Sequence, residues 1–328
     1  MSGALLPPRQ AVAEPVRDEA QAAAILAELH KVLDSVIIAR PAAVRVLAVV
    51  DDRNASAQKV AGAIEADPDF SAQIMRLANS AYYGMSGKIG NVGFGVAVIG
   101  FSAVRSLAAL NATGLDQSDR PKPDGFWQHA AATAAGCAAV ASRYGIIVGD
   151  AFAAGLLHDL GTALLHGFDR DTHQQLLNLH GTDGRALADA EGDRFGLSHA
   201  AAAARVLSSW RFPEPFVEAI ARHHDDPAPT DPPFVEAIRV GDILAELALA
   251  RGPRFDVSDS GHRSEETVQL DGSTPEDVED VAPLVHENPE IVALRAQLCS
   301  MGFLELELDE LITTTALRTS DIIASLPT

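Results

Sequence analysis

The sequence predicts an all-α protein, a helical bundle, on three observations. Alanine and leucine dominate a chain of 328 residues in which 47% are hydrophobic and only 5% aromatic. Ala and Leu are strong helix formers, whereas strands favour aromatic and β-branched side chains. Apolar residues recur at spacings of three and four, as in Ile25, Leu29, Val32 and Val36, which places them on one helix face. Ser, Asp, Asn or Pro precede these runs and Gly follows some of them, the residues that open and close helices.

Taken in order, residues 1–15 are rich in Pro, Ala and Gly and read as a flexible tail, with a helical pattern from Val16. Pro41 suits the first turn of the next helix, with Val44, Leu47 and Val50 inward. Asn54 or Ser56 can cap a third helix through Ile64, and Asp67-Pro68-Asp69 opens a fourth that carries Phe70, Ile74 and Leu77. Six glycines fall between Gly84 and Gly100. Their spacing matches neither phosphate-binding pattern and no strand precedes them, so a loop and a short helix, Val92 to Ile99, is the favoured reading over a phosphate cradle. Ser102 can cap a helix through Leu110. The polar stretch 114–124 marks a boundary between two parts.

The second half repeats the rhythm. Asp124 can cap a helix over 126–144 stopped by Gly145, and Asp150 one over 151–166. Further helices are expected near 183–194, 198–210, 214–224 and 233–250. Residues 251–290 read as a flexible acidic insert, because from Asp256 to Glu290 they hold many Asp and Glu against a single Arg. The C-terminal part, 291–328, holds two helices, the first restarted by Pro289 with Ile291, Leu294, Leu298 and Met301 on one face and the second over about 307–325. They are expected to pack back on the bundle or on a partner.

The formal net charge is −20. Such a chain repels nucleic-acid phosphates, and its arginines, among them Arg40, Arg76, Arg105 and Arg143, are scattered singly, so direct nucleic-acid or anionic-membrane binding is not expected. Cys137 and Cys299 form no CxxC pattern and no disulfide framework. Residues 1–10 lack the apolar run of a signal peptide, and no stretch reads as long and apolar enough to span a bilayer. A cytoplasmic protein is the expectation.

Histidines and aspartates mark the second half. His129 lies early in one helix. His158 and Asp159 are adjacent within Gly155-Leu156-Leu157-His158-Asp159-Leu160-Gly161. His199 follows a Ser198 cap, His223 and His224 end a helix, and Asp242 sits inside the next. Imidazole and carboxylate together suit Fe, Mn, Zn or Ni, and ligands spread over several helices can converge in a bundle core. Neighbouring helical residues point about 100° apart, so His158 and Asp159 must both lie beside one seam. Each member alone has an ordinary reading. A single His near a helix end caps carbonyls or sits satisfied in the core, which is what His199 by itself favours, and His223-His224 also reads as an exposed helix end. His166, His173, His180, His262 and His286 have no partner pattern and read as surface residues.

Several motifs in order carry a family resemblance over roughly residues 30–250. GLLHDLG at 155–161 resembles the HD motif of the HD superfamily. Asp67-Pro68-Asp69-Phe70 through Leu77-Ala78-Asn79-Ser80-Ala81-Tyr82-Tyr83-Gly84 resembles a segment of HDOD domains, as do Ala97-Val98-Ile99-Gly100, Phe126-Trp127-Gln128-His129, His199-Ala200, Trp210, Pro213 and His223-His224. The resemblance implies an all-α HDOD-type bundle over 16–250, with an N-terminal helical part (16–115) joined to an HD-like part (124–250). The related HD-GYP phosphodiesterases imply metal-ligand roles for His129, His158, Asp159, His199, His223, His224 and Asp242. Two departures stand out. The lysine that follows the HD-x-G element in those enzymes is Thr162 here, and Asp225-Asp226-Pro227 follows the histidine pair where they carry GYP.

The resemblance implies a bacterial signal-transduction output or scaffold domain, non-catalytic and acting through a regulatory protein partner. The alternative is a metal-dependent phosphohydrolase acting on a nucleotide or cyclic dinucleotide. A third reading, a metal-holding sensor without turnover, uses the same ligands.

Overall fold

In the computed structural model the described residues are 19–36, 41–115, 120–181, 183–250 and 289–326; helices and no strand occur among them. The tail at 1–15 and most of the acidic insert, 251–288, lie outside the described residues. The first half holds α1 (Glu19–Val36), α2 (Pro41–Val50), α3 (Ala57–Ile64), α4 (Pro68–Ala78) and α5 (Val92–Thr113). The capping residues act as their chemistry dictates. Ser56 accepts from the Lys59 backbone N–H, and Asp67 accepts from those of Asp69 and Phe70, which satisfies otherwise orphaned donors. Phe70, Ile74 and Leu77 then enter the core. Asn79 pins the glycine-rich loop: its amide donates to the Ile89 carbonyl at 3.0 Å and accepts from the Ile89 N–H at 2.9 Å. Asn91 caps the short helix that follows.

Helix α5 bears on one expectation. Val92–Thr113 has the length and hydropathy to cross a membrane by those two criteria alone. Gly100, at φ +82°, breaks it into two pieces, neither near the roughly 20 residues a crossing needs. Val96, Ile99, Val104 and Leu107 are buried in the protein core. Ser102 is not a cap; its hydroxyl, inside the second piece, donates to Asp150.

The second half holds α6 (Phe126–Val140), α7 (Val148–Leu157), α8 (Leu160–Phe168), α9 (Arg170–His180), α10 (Gly184–Phe195), α11 (His199–Ser209), α12 (Glu214–Ala221) and α13 (Pro233–Ala250). Three details differ from expectation. Gly125, at φ +77°, starts α6 in place of Asp124. The helix expected over 151–166 is two helices, because the chain breaks at His158-Asp159, where Asp159 has φ −98° and ψ 15°. Helix α9 was not expected; polar side chains outnumber its leucines, and Asp169 caps its first turn.

Small residues let backbones cross closely here. A Cβ on Gly136 of α6 would lie 2.6 Å from the Gly241 carbonyl of α13, and one on Gly155 of α7 would lie 2.6 Å from the Thr133 carbonyl of α6. One continuous core runs from Leu29 of α1 through Leu107 and Phe152 to Ile220 of α12. The last two helices, α14 (Pro289–Ser300) and α15 (Glu305–Ile323), do pack back on the bundle. Ile291, Leu298, Leu308 and Ile312 bury against Val140, Val240 and Leu244.

Candidate metal centre

The break between α7 and α8 lets adjacent residues face one pocket. His158 donates from Nδ1 to the Gly155 carbonyl at 2.8 Å. A carbonyl can only accept, so the Nε2 lone pair is left facing the pocket. His223, in the turn after α12, is held the same way by the Ile220 carbonyl at 2.6 Å. His199, opening α11 behind its Ser198 cap, turns Nδ1 to Glu191 at 2.6 Å. His129 comes from α6 and Asp242 from α13.

The structure brings all seven expected side chains together, in two clusters. Asp159, His199, His223 and His224 form one; His129, His158 and Asp242 form the other; within each, one candidate ligand atom per residue lies within 4.8 Å of the rest. Asp159 stands between them. Its Oδ2 is 3.6 Å from His129 Nε2 and 3.7 Å from His158 Nε2. Its Oδ1 is 3.5 Å from His199 Nε2 and 3.9 Å from His223 Nε2. His129 Nε2 lies 3.1 Å from both Asp242 Oδ1 and His158 Nε2. The buried Nε2 atoms of His199 and His223 have no hydrogen-bond partner among the described residues.

The groups shift one another. Burial would raise the Asp159 carboxyl, but His158, His199, His129 and His223 hold it well below the usual range. Asp242 is likewise held far down against burial by His129 and His158. Burial would lower His129, yet Asp242 and Asp159 push it up to about 9. His199 also stands at about 9 against burial, through Glu191 and Asp159. His223 is well below its ordinary value and His224 is down at about 4, both through burial and the neighbouring imidazoles.

A cavity of about 280 Å³ opens over the two clusters and is lined also by Asp124, Phe126, Thr162, Leu177 and Glu246. Among the described residues, no Lys or Arg lines it. Thr162, where the related enzymes carry lysine, is buried, and its hydroxyl has no hydrogen-bond partner among the described residues. The turn bearing the histidine pair is clamped by Asp231, which accepts from Arg222, Arg239 and the Ala228 N–H.

Two histidines read as surface residues are not. His166 of α8 and His173 of α9 are fully buried, because the unexpected α9 packs against α8; their Nδ1 atoms lie 3.4 Å apart. His166 is pushed down to about 4 by burial and by His173. Glu191 was missed altogether. It is fully buried and bridges His173 and His199. A signal existed: Leu187, Glu191 and Phe195 fall four apart, so an acid occupies the middle of an apolar stripe.

An all-helical fold with an HD dipeptide at the break between two core helices defines an HD-type helical protein. The HDOD domain model matches residues 39–226, and the chain belongs to the HDOD family. The match ends before Asp242. No curated protein matches the chain in sequence. Solved structures share the fold. A provisionally named phosphohydrolase from Shewanella amazonensis SB2B is 21% identical, with TM-score 0.61, 91% of this chain and 97% of that one covered. A provisionally named metal-dependent phosphohydrolase from the same organism is 18% identical, with TM-score 0.57 and coverages of 93% and 99%. An HDOD domain protein of unknown function from Geobacter sulfurreducens is 19% identical, with TM-score 0.56 and coverages of 93% and 98%.

Proposed function

We propose that this protein is a signal-transduction module that holds up to two divalent transition-metal ions between α6, the α7–α8 break, α11, the turn after α12 and α13, and that it works through a protein partner rather than by turnover. The observation that carries the proposal is the position of Asp159, whose two oxygens face two separate His/Asp clusters. The residues fit the group. Buried Nε2 atoms on His199 and His223 without partners among the described residues are costly unless something occupies them. Mixed imidazole and carboxylate donors suit Fe, Mn, Zn or Ni. His129, His158 and Asp242 would hold one ion, His199, His223 and His224 the other, with Asp159 shared. When bound, such ions supply Lewis acidity and a fixed positive charge.

The non-catalytic part of the proposal rests on the cavity walls. Asp124 and Glu246 line it and, among the described residues, no Lys or Arg does, so the walls offer a phosphate no cationic side chain. Thr162 adds only a hydroxyl. The second reading, a metal-dependent phosphohydrolase acting on a nucleotide or cyclic dinucleotide, is favoured by the same shared carboxylate, since two adjacent ions can clamp a displacement at phosphorus.

The test starts with protein purified without chelator or metal-affinity tag. Fe, Mn, Zn and Ni are measured, then hydrolysis of cyclic dinucleotides and a generic phosphodiester is assayed with added metal. The proposal expects bound metal, lost in Asp159→Ala and His158→Ala, and no turnover. Turnover abolished by the same substitutions establishes the enzyme reading. Metal content unchanged by both substitutions rejects the site.

A further inference from the structure

The imidazoles at this site are not held alike. His158 and His223 turn Nδ1 to main-chain carbonyls of Gly155 and Ile220. His199 turns Nδ1 to a carboxylate: Glu191 Oε2 accepts both that N–H at 2.6 Å and the His199 backbone N–H at 2.7 Å. The other Glu191 oxygen accepts from His173 Nε2 at 2.9 Å. Glu191 and His173 are fully buried, and among the described residues no Lys or Arg side chain pairs with Glu191. A core glutamate flanked by Leu187 and Phe195 is expensive to keep, and an apolar residue there would pack as well. Its geometry instead fixes one ring in place from two directions.

We infer that Glu191, itself oriented by His173, is a positioning residue for His199, and that it sets the affinity of the Asp159, His199, His223 and His224 cluster for a metal ion without touching the ion. The inference rests on the metal-binding reading above. The physical grounds are three. The carboxylate permits only the orientation in which Nδ1–H points away from the pocket and Nε2 points in. Its negative charge makes that Nε2 a stronger donor. Its bond to the His199 backbone N–H ties the second half of α10 to the first turn of α11, so the ring and the helix that carries it are set together. In the cluster of His129, His158 and Asp242, the His158 ring is oriented by a neutral carbonyl instead. The two clusters therefore differ in how their imidazoles are prepared, and the buried carboxylate serves one of them.

Cobalt(II) reads this directly, through its absorption bands and through stepwise titration of the chelated full chain. The wild type is expected to take up the ion in two steps. Glu191→Gln keeps the shape and an acceptor oxygen but removes the charge. It is expected to weaken one step on the order of 10–100-fold and change the bands belonging to that ion, leaving the other step as it was. His173→Leu is expected to weaken the same step, while His173→Gln, which retains an N–H donor toward Glu191, restores it. The two His173 variants carry the test should Glu191→Gln fail to fold. A purely structural role for Glu191 would lower the melting temperature of the chelated protein with both cobalt steps and both sets of bands unchanged, and would overturn the inference while the metal reading stands. Equal weakening of both steps would overturn it likewise. A wild type that takes up no cobalt would remove the metal reading, and the inference with it.

Discussion

Around Asp159, imidazoles shifted up and imidazoles shifted down sit within one pocket, and their directions make the metal-free protein sensitive to pH on both sides. His129 and His199 stand at about 9. A raised imidazole contributes stability that is full below its unfolded value of roughly 6.5 and is lost as pH climbs through the folded value. His224 and His166 stand at about 4, and His223 is also lowered. These are neutral in the fold, while their unfolded counterparts take up protons below roughly 6.5, so stability is lost as pH falls toward 4. The chelated protein is therefore expected to melt highest at about pH 6.5 and lower at about pH 4.5 and about pH 9. A melting temperature that does not change over that range contradicts the assignment. Metal uptake must displace the protons of His129 and His199, so the apparent affinity is expected to rise over the upper part of the same range.

At the scale of elements, the site depends on how closely backbones approach. The Gly136–Gly241 crossing brings α6, which carries His129, against α13, which carries Asp242. Gly161, two residues beyond Asp159, packs on the His199 carbonyl, leaving no room for a Cβ. Gly136→Ala is expected to cost about 1–3 kcal/mol in denaturant unfolding, because the added methyl meets backbone rather than a movable side chain. Gly161→Ala is expected to push α11 from α8 and to lose metal as well as stability. Stability equal to wild type in both variants would mean that the helices are not packed this closely. Helix α9 shows the opposite case, an element with weak intrinsic preference that forms because Leu176 and His173 have a core to enter.

Across the whole molecule, residues far apart in the chain share the site, so metal and fold are linked. His129 and Asp242 are separated by most of the second half and meet at 3.1 Å. An ion bound to them can be held only by the folded chain. At a free metal concentration 100 times the dissociation constant, the folded state gains about 2.7 kcal/mol per site. Adding Mn, Fe, Zn or Ni to the chelated protein is thus expected to raise its melting temperature by several degrees, and His129→Ala to remove part of that rise. An identical melting temperature with and without metal counts against the proposed centre. The net charge of −20 acts over the same scale, favouring cations near the cavity and opposing free phosphates.

The sequence by itself determined the helical class and several helix boundaries. Ser56, Asp67 and Ser198 are local signals, each accepting from a backbone N–H within three residues. The order of His and Asp motifs named the seven side chains that the structure gathers. The tertiary structure decided what local signals do not encode. The split between α7 and α8, which frees Asp159 to face both clusters, arises where the chain must turn two adjacent polar residues into one pocket. The burial of His166, His173 and Glu191 depends on how α8, α9, α10 and α11 pack on one another, and no spacing along the chain reports which helix covers which. Local chemistry settles where helices begin; only packing settles which polar group is denied water, and so which one needs a partner.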